Sequence, residues 1–434
     1  MKSKTARFFG YTSAILNALT LIPPLRGWLG VLLYLPRALP ESCPLPLGVV
    51  GILGAIAGLV KRDARAAAAG LAGAGLAAHH IIRISAPHDH LRGAFGPNWR
   101  QRVPATLESR MLPRRYQPIV ASSPPVILER DVPFGVHVGT GAQLLADLWQ
   151  PPPGVPRTGV GIIYLHGSGW HYMDKDMLTR PFFSHLANQG HVIMDVGYTL
   201  APVTDLFGMV ADVKRAVAWL KANSSAYEVD PERIVLMGGS AGGHLALLSA
   251  FASGHPELHP PDVNVDTTVR AVVAYYAPID LLASYHFFSA CYQDLFARQS
   301  WPEKWVMQLA EAVLRRARFL SPGRHIVSIP GMLTDLLGGT PDELPELYHL
   351  ASPINHVGRH CPPTLLLQGG HDPGGMRVDA LRLHRSLQVA GVKSVYVEYP
   401  HTGHGFDLIV PRLSPSAQAA TYDVERFLAL VNQA

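Results

Sequence analysis

Only three cysteines occur in the 434 residues, and Cys43, Cys291 and Cys361 are spaced too widely for a metal-ligand pair or a disulfide-built scaffold. Charge is scarce as well, since Asp, Glu, Lys and Arg make up 16% of the chain against 48% hydrophobic residues. That balance excludes a disordered polypeptide and is low in charge for a purely soluble protein. No internal repeat is present, which excludes solenoids and propellers, and no low-complexity tract occurs beyond the first 85 residues. What remains is a long chain able to bury a large core.

The formal net charge of +5 would point to nucleic acid if it were spread evenly. It is not. Residues 1–100 hold 11 basic and 3 acidic residues, and the rest hold 26 and 29, so the halves carry +8 and −3. The basic excess flanks apolar runs, the pattern of a membrane anchor rather than a nucleic-acid surface. Three stretches, 8–25, 42–60 and 66–82, lack Asp, Glu, Lys and Arg for 18, 19 and 17 residues, near the ~20 a helix needs to cross the hydrocarbon layer. The second contains Gly54-Ala-Ile-Ala-Gly58, a small-xxx-small face suited to close helix packing. Residues 1–85 therefore read as an anchor of about three transmembrane helices; the alternative is a set of buried helices in a soluble domain. Basic residues on the two sides of three such spans tie at six each. The first span alone leans towards a cytoplasmic N-terminus with the C-terminal domain on the far side.

Residues 86–130 carry seven prolines among polar and basic residues and read as a linker. From about 131 the pattern changes. Gln143–Trp149, ending at three prolines, reads as an edge strand, and short apolar runs recur at 160–165, 191–196, 233–237, 269–275, 363–367 and 392–399, the mark of strands buried on both faces. Helical patterns over 176–188, 205–222, 241–252, 376–390 and 415–431 alternate with them. Such alternation predicts a mostly parallel sheet with helices on both faces. It breaks at about 281–360, an aromatic and basic stretch (Tyr285, Phe287, Phe288, Tyr292, Phe296, Trp301, Trp305, Arg315, Arg316, Arg318) that reads as an inserted helical cap.

Gly238-Gly239-Ser240-Ala241-Gly242 falls between the predicted strand RIVLM and a helical run. A strand-to-helix turn this tight admits only small flanking residues and holds a serine hydroxyl clear of the backbone, beside the helix N-terminus. A serine needs a base, and the base an orienting acid. Asp372 follows the strand run PTLLL through a glycine turn, and His404 lies in PHTGHGF after the last strand, with His401 and Asp379 as rivals. The loop His166-Gly-Ser-Gly-Trp170 follows the strand GIIYL, and N–H groups of Gly167 and Ser168 can join that of Ala241 around an oxyanion.

With these pieces the chain resembles the α/β-hydrolase fold, closest to hormone-sensitive-lipase-like and BD-FAE-like esterases. The resemblance rests on His166–Trp170, GGSAGGH at 238–244, and Tyr198-Thr-Leu-Ala-Pro202, and covers roughly 131–434. Ser168 stands where that group often has a third glycine, and Thr199 replaces its usual arginine. The resemblance implies carboxylic ester hydrolysis by Ser240, His404 and Asp372, with neither metal nor organic cofactor. The implied partners are a small-molecule or lipid ester and the bilayer; nucleic acid is not among them. An amidase, formamidase or peptidase on the same scaffold, and a non-catalytic binding protein, are the competing readings.

Overall fold

A computed structural model describes residues 2–23, 25, 27–297, 301, 305, 308, 309, 311, 312, 316, 328–372 and 376–433. The C-terminal part is built on eight strands: β1 (Ile127–Val136), β2 (Gln143–Gln150), β3 (Gly161–Leu165), β4 (Val192–Gly197), β5 (Ile234–Gly239), β6 (Ala271–Tyr275), β7 (Thr364–Gly369) and β8 (Ser394–Tyr399). They form one sheet in the order β1-β2-β4-β3-β5-β6-β7-β8. From β4 through β3 to β8 every pair is parallel, while β1 and β2 join antiparallel at one edge. Every residue of β3, β6 and β7 is buried, because both faces are covered, and an apolar side chain is stabilised on either side. β1 tolerates Pro133 because it is an edge strand, and its pairing with β2 shifts register on either side of Val132–Pro133.

Helices cover both faces. On one, Leu206–Ala222, Ala241–Phe251 and Met376–Val389 contribute Val210, Val213, Leu245, Leu248, Leu383 and Leu387 to a buried cluster. On the other, Arg180–Ala187 and Pro415–Val431 contribute Phe183, Leu186, Val424 and Phe427. The segment read as a linker belongs to this second cluster: Leu91, Phe95, Trp99, Val103, Leu107 and Met111 are buried against it. Its prolines limit it to short turns, but its apolar residues recur every fourth position and give it one wet and one dry side. Arg115 fastens it further, with Nη1 2.5 Å from Asp423 Oδ1.

Four helices precede it: α1 (Lys2–Leu19), α2 (Gly27–Ser42), α3 (Pro44–Val60) and α4 (Ala64–Ser85). α1, α3 and α4 touch backbone to backbone. A Cβ on Gly54 would fall 2.6 Å from Gly10 N, and one on Gly70 2.4 Å from Gly51 O. Their outward faces carry Phe8, Ile15, Ile52, Ile56, Leu59, Leu71 and Ile82, all more than 45% exposed. Of the three expected spans, one is long and apolar enough to cross a membrane as a single helix, α4. α3, with 17 residues, becomes a second candidate only together with Pro36–Ser42, from which it bends by 90°. α1 carries Lys2, Lys4 and Arg7 within its 18 residues and is not apolar enough.

Within the expected cap, the described elements are the helices Leu281–Ala297, Ile329–Leu337 and Pro345–Leu350 and the short 3-10 helix Pro353–His356. Arg315 and Arg318 lie outside the described residues, as do the side chains of Tyr292 and Phe296. Phe288 is buried and Tyr285 packs its ring 5.8 Å from Tyr348, whereas Trp301 and Trp305 are exposed.

Candidate active site

Each sequence-derived site residue sits at the carboxyl edge of the parallel strands. Ser240 follows β5 and caps the helix Ala241–Phe251 with φ 53° and ψ −122°. A non-glycine residue pays for positive φ with local strain, which the surroundings must hold in place. Here the Ser240 N–H donates to Tyr275 O at 2.9 Å, and its carbonyl accepts from His244 N at 2.9 Å. The flanking glycines are required by close approach: a Cβ on Gly242 would lie 2.0 Å from Leu165 O. Ser240 is half-buried, and Ala241 opens the helix beside it.

The loop after β3 abuts this turn. A Cβ on Gly167 would lie 3.0 Å from Gly239 O and 3.4 Å from Ser240 Cβ. Ser168, Gly169 and Trp170 follow with φ of 84°, 65° and 63°. The Ser168 hydroxyl is turned back against the carbonyls of Gly167 and Tyr172, so the residue in the third-glycine position uses its side chain to hold the loop. His166 stacks on Tyr198 with centroids 4.4 Å apart, and Tyr198 Oη donates to His166 O at 2.9 Å. Burial lowers the His166 pKa to about 4, so the ring is neutral and its Nδ1–H donates to Gly167 O at 2.9 Å. Thr199, in the place of an arginine, gives its N–H to Asp212 Oδ2 at 3.0 Å; Arg215 then pairs with Asp212 at 3.0 Å and with Asp262 at 2.7 Å.

Asp372, buried beyond β7, and His404, beyond β8, are brought together: His404 Nδ1 lies 2.9 Å from Asp372 Oδ2. Gln368 Nε2 donates to the same oxygen at 2.9 Å. Burial disfavours the His404 imidazolium, but the charge and hydrogen bond of Asp372 outweigh it and the pKa is raised. His401 is placed elsewhere, its ring 5.0 Å from His371 and 6.1 Å from His79. Asp379 lies 3.5 Å from Arg382, and burial raises its pKa to about 6. Tyr276 bridges the two halves of the site. Its ring is 4.4 Å from His404, its hydroxyl would lie 3.0 Å from a Cβ on Gly239, and that hydroxyl bonds Asp407. Burial raises the Asp407 pKa to about 6.

Two groups were not singled out by sequence reasoning. Trp170 Nε1 donates to His244 Nδ1 at 3.2 Å, and His244 Nε2 lies 2.8 Å from Ala351 O. One neutral ring thus ties the loop after β3, the helix Ala241–Phe251 and the segment that carries Ala351, and burial lowers its pKa to about 4. The signal was its place in GGSAGGH. Tyr276 could be marked only by its position one residue after β6. Among the described residues no cluster of His, Cys, Asp and Glu is arranged to hold a metal ion.

A family model for BD-FAE matches residues 147–330, and one for the prolyl oligopeptidase family matches 332–426. The chain is 28% identical over 330 residues to esterase LipQ of Mycobacterium tuberculosis, covering 74% of this chain and 69% of that protein. It is 30% identical over 311 residues to the probable carboxylic ester hydrolase LipM of the same organism, covering 69% and 61%. The matched span is thus under two thirds of LipM and slightly more of LipQ. Among solved structures, a bifunctional GH43-CE protein of Bacteroides eggerthii overlays with a TM-score of 0.50 at 18% identity, covering 69% of this chain and 37% of that one. The apo form of Thermogutta terrifontis esterase 2 gives 0.49 at 21% identity, covering 70% and 93%. At these identities the structural likeness concerns the fold alone.

Proposed function

We propose, from the α/β-hydrolase fold of this chain, that it is a serine esterase, anchored to a bilayer by its N-terminal helices, that cleaves lipophilic carboxylic esters. Ser240 Oγ attacks the ester carbonyl and passes its proton to His404 Nε2. Asp372, on Nδ1, fixes the tautomer and favours the imidazolium that forms. The oxyanion is received by N–H groups of Gly167, Ser168 and Ala241 at the positive end of the helix Ala241–Phe251. His404 then gives the proton to the departing alcohol, and water, deprotonated by the same ring, releases the acid and restores the serine.

The observation that carries this reading is the pairing of His404 with Asp372 at 2.9 Å on the edge where Ser240 stands at φ 53°. The esterase relatives agree with it. The bilayer part draws on the exposed apolar faces of α1, α3 and α4 and on the +8 charge of residues 1–100. A fluorophosphonate probe should label the wild type and not Ser240→Ala; equal labelling of both would refute the assignment. A panel of graded acyl esters should favour the longer chains, and preference for the shortest would remove the lipophilic substrate. Resistance of the membrane pool to alkaline carbonate extraction tests the anchor.

A peptidase or amidase reading draws on the prolyl oligopeptidase match over 332–426. Matched ester and amide substrates separate the two, with amide turnover equal to or above ester turnover favouring the second.

A further inference from the structure

The helix α2 lies outside the sheet, yet its last two turns reach the two loops that carry Asp372 and His404. Glu41 Oε2 accepts from Gly403 N at 2.9 Å, one residue before the histidine. Tyr34 Oη donates to the His404 carbonyl at 2.8 Å. Arg37, one turn before Glu41 and 3.5 Å from its carboxylate, lies 2.8 Å from His371 Nδ1, next to Asp372. The loops themselves meet with no room between them: His371 N donates to Thr402 O at 2.8 Å, and a Cβ on Gly369 would lie 2.5 Å from that same oxygen. Arg37 and Glu41 are both buried, and the end of α2 is held in turn by α4, whose His80 Nε2 lies 3.2 Å from Glu41 O.

We infer that α2 is a working part of the catalytic centre, in which Glu41, with Tyr34 and Arg37, are positioning residues that seat the His404 loop against Asp372. The inference rests on the assignment of His404 as the base. Gly403 and His404 are held by hydrogen bonds on either side of the peptide that joins them. The loop is rich in glycine, and its other side is held by His371 N on Thr402 O at 2.8 Å and by the Tyr276 ring 4.4 Å from His404. The bond from the Gly403 N–H to Glu41 is buried, so removing the acceptor leaves that N–H without a partner. Misplacing a catalytic group by about 1 Å can cost around a hundredfold in rate, which is the scale of effect such a restraint controls.

The test uses the full chain in detergent, with active sites counted by fluorophosphonate titration so that unfolded protein does not enter the rate. Glu41→Ala is expected to lower kcat per site by roughly ten- to a hundredfold, with KM changed by less than about a factor of two. The acid limb of its pH profile should move to lower pH, because a slack loop weakens the Asp372 contact that raises the His404 pKa. Glu41→Gln, which keeps an oxygen for the Gly403 N–H, should recover most of the rate. Tyr34→Phe, at an exposed position, should show the same limb shift in milder form, and it carries the test alone if Glu41→Ala does not accumulate. Wild-type kcat and an unmoved limb in these variants would overturn the inference, as would failure of Glu41→Gln to recover more than Glu41→Ala. A different result, full turnover by Ser240→Ala, would instead strike the assignment of the triad itself.

Discussion

Replacing His244 by Phe tests whether the loop after β3 is held by a hydrogen-bonded ring or merely by packing. His244 and Trp170 are 0% and 2% exposed, so neither can turn to water. A phenyl ring fills nearly the same space, which keeps any cavity small, but it leaves the Trp170 N–H and the Ala351 carbonyl without their partners at 3.2 and 2.8 Å. Each buried orphan costs about 1–3 kcal/mol, giving ~2–6 kcal/mol in all. Against a typical stability of ~5–15 kcal/mol this is a large fraction, and for a chain of 434 residues it corresponds to a fall in Tm of roughly 2–7 °C. The pH dependence sharpens the test. Burial lowers the His244 pKa from 6.5 to about 4, so the unfolded chain binds the extra proton in that window. The histidine's contribution is complete above pH 6.5 and is lost as pH falls towards 4. The variant has no such titration, so its deficit should be largest near neutrality and shrink on acidification. Thermal unfolding followed at several pH values measures this, and a double-mutant cycle with Trp170→Phe isolates the pair. An unchanged Tm at pH 7, or a deficit that grows as pH falls, would refute the reasoning.

The rate per titrated site, kcat/KM, should rise with pH as His404 loses its proton. Its midpoint should lie above the ordinary 6.5, because Asp372 raises that pKa, and Asp372→Asn should move the midpoint down. Arg115→Met removes one partner of a pair whose side chains are 6% and 5% exposed. Thermal unfolding should report a loss of about 3–5 kcal/mol, larger than that of Arg115→Met combined with Asp423→Asn. Gly242→Ala places a Cβ 2.0 Å from Leu165 O and should abolish probe labelling, whereas Gly254→Ala, with open space around it, should label like the wild type.

The parallel strands were legible because burial on both faces requires unbroken apolar runs. Predicted 160–165 became Gly161–Leu165, and predicted 363–367 became Thr364–Gly369. Helix 415–431 appeared with the same bounds, helped by Ser414, which accepts from Ala417 N at 3.3 Å. The turn that carries Ser240 was legible as well, because a strand-to-helix turn this tight restricts its flanks to glycine and alanine. Residues 86–130 were misjudged because prolines dominate a composition-based reading, while the four-residue spacing from Leu91 to Met111 shows only when apolar positions are read alone. Helix α2 escaped for a related reason: Pro36 and Pro40 lie inside it, and Arg37 and Glu41 look like surface charges until a partner 330 or more residues away is in view. Nothing local marks a side chain whose counterpart is supplied by the far end of the chain.

That long reach bears on how the enzyme can be handled. Residue 86, after the four N-terminal helices, is the obvious place to begin a shortened version. Such a protein would keep the sequence of all eight strands and Ser240, Asp372 and His404. It would also have discarded the side chains at 34, 37 and 41 and left the Gly403 amide to water. If α2 seats the His404 loop as inferred above, turnover measured on it would understate the native rate. Supplying residues 1–85 as a separate polypeptide, or retaining them in detergent, is the safer route to a faithful rate.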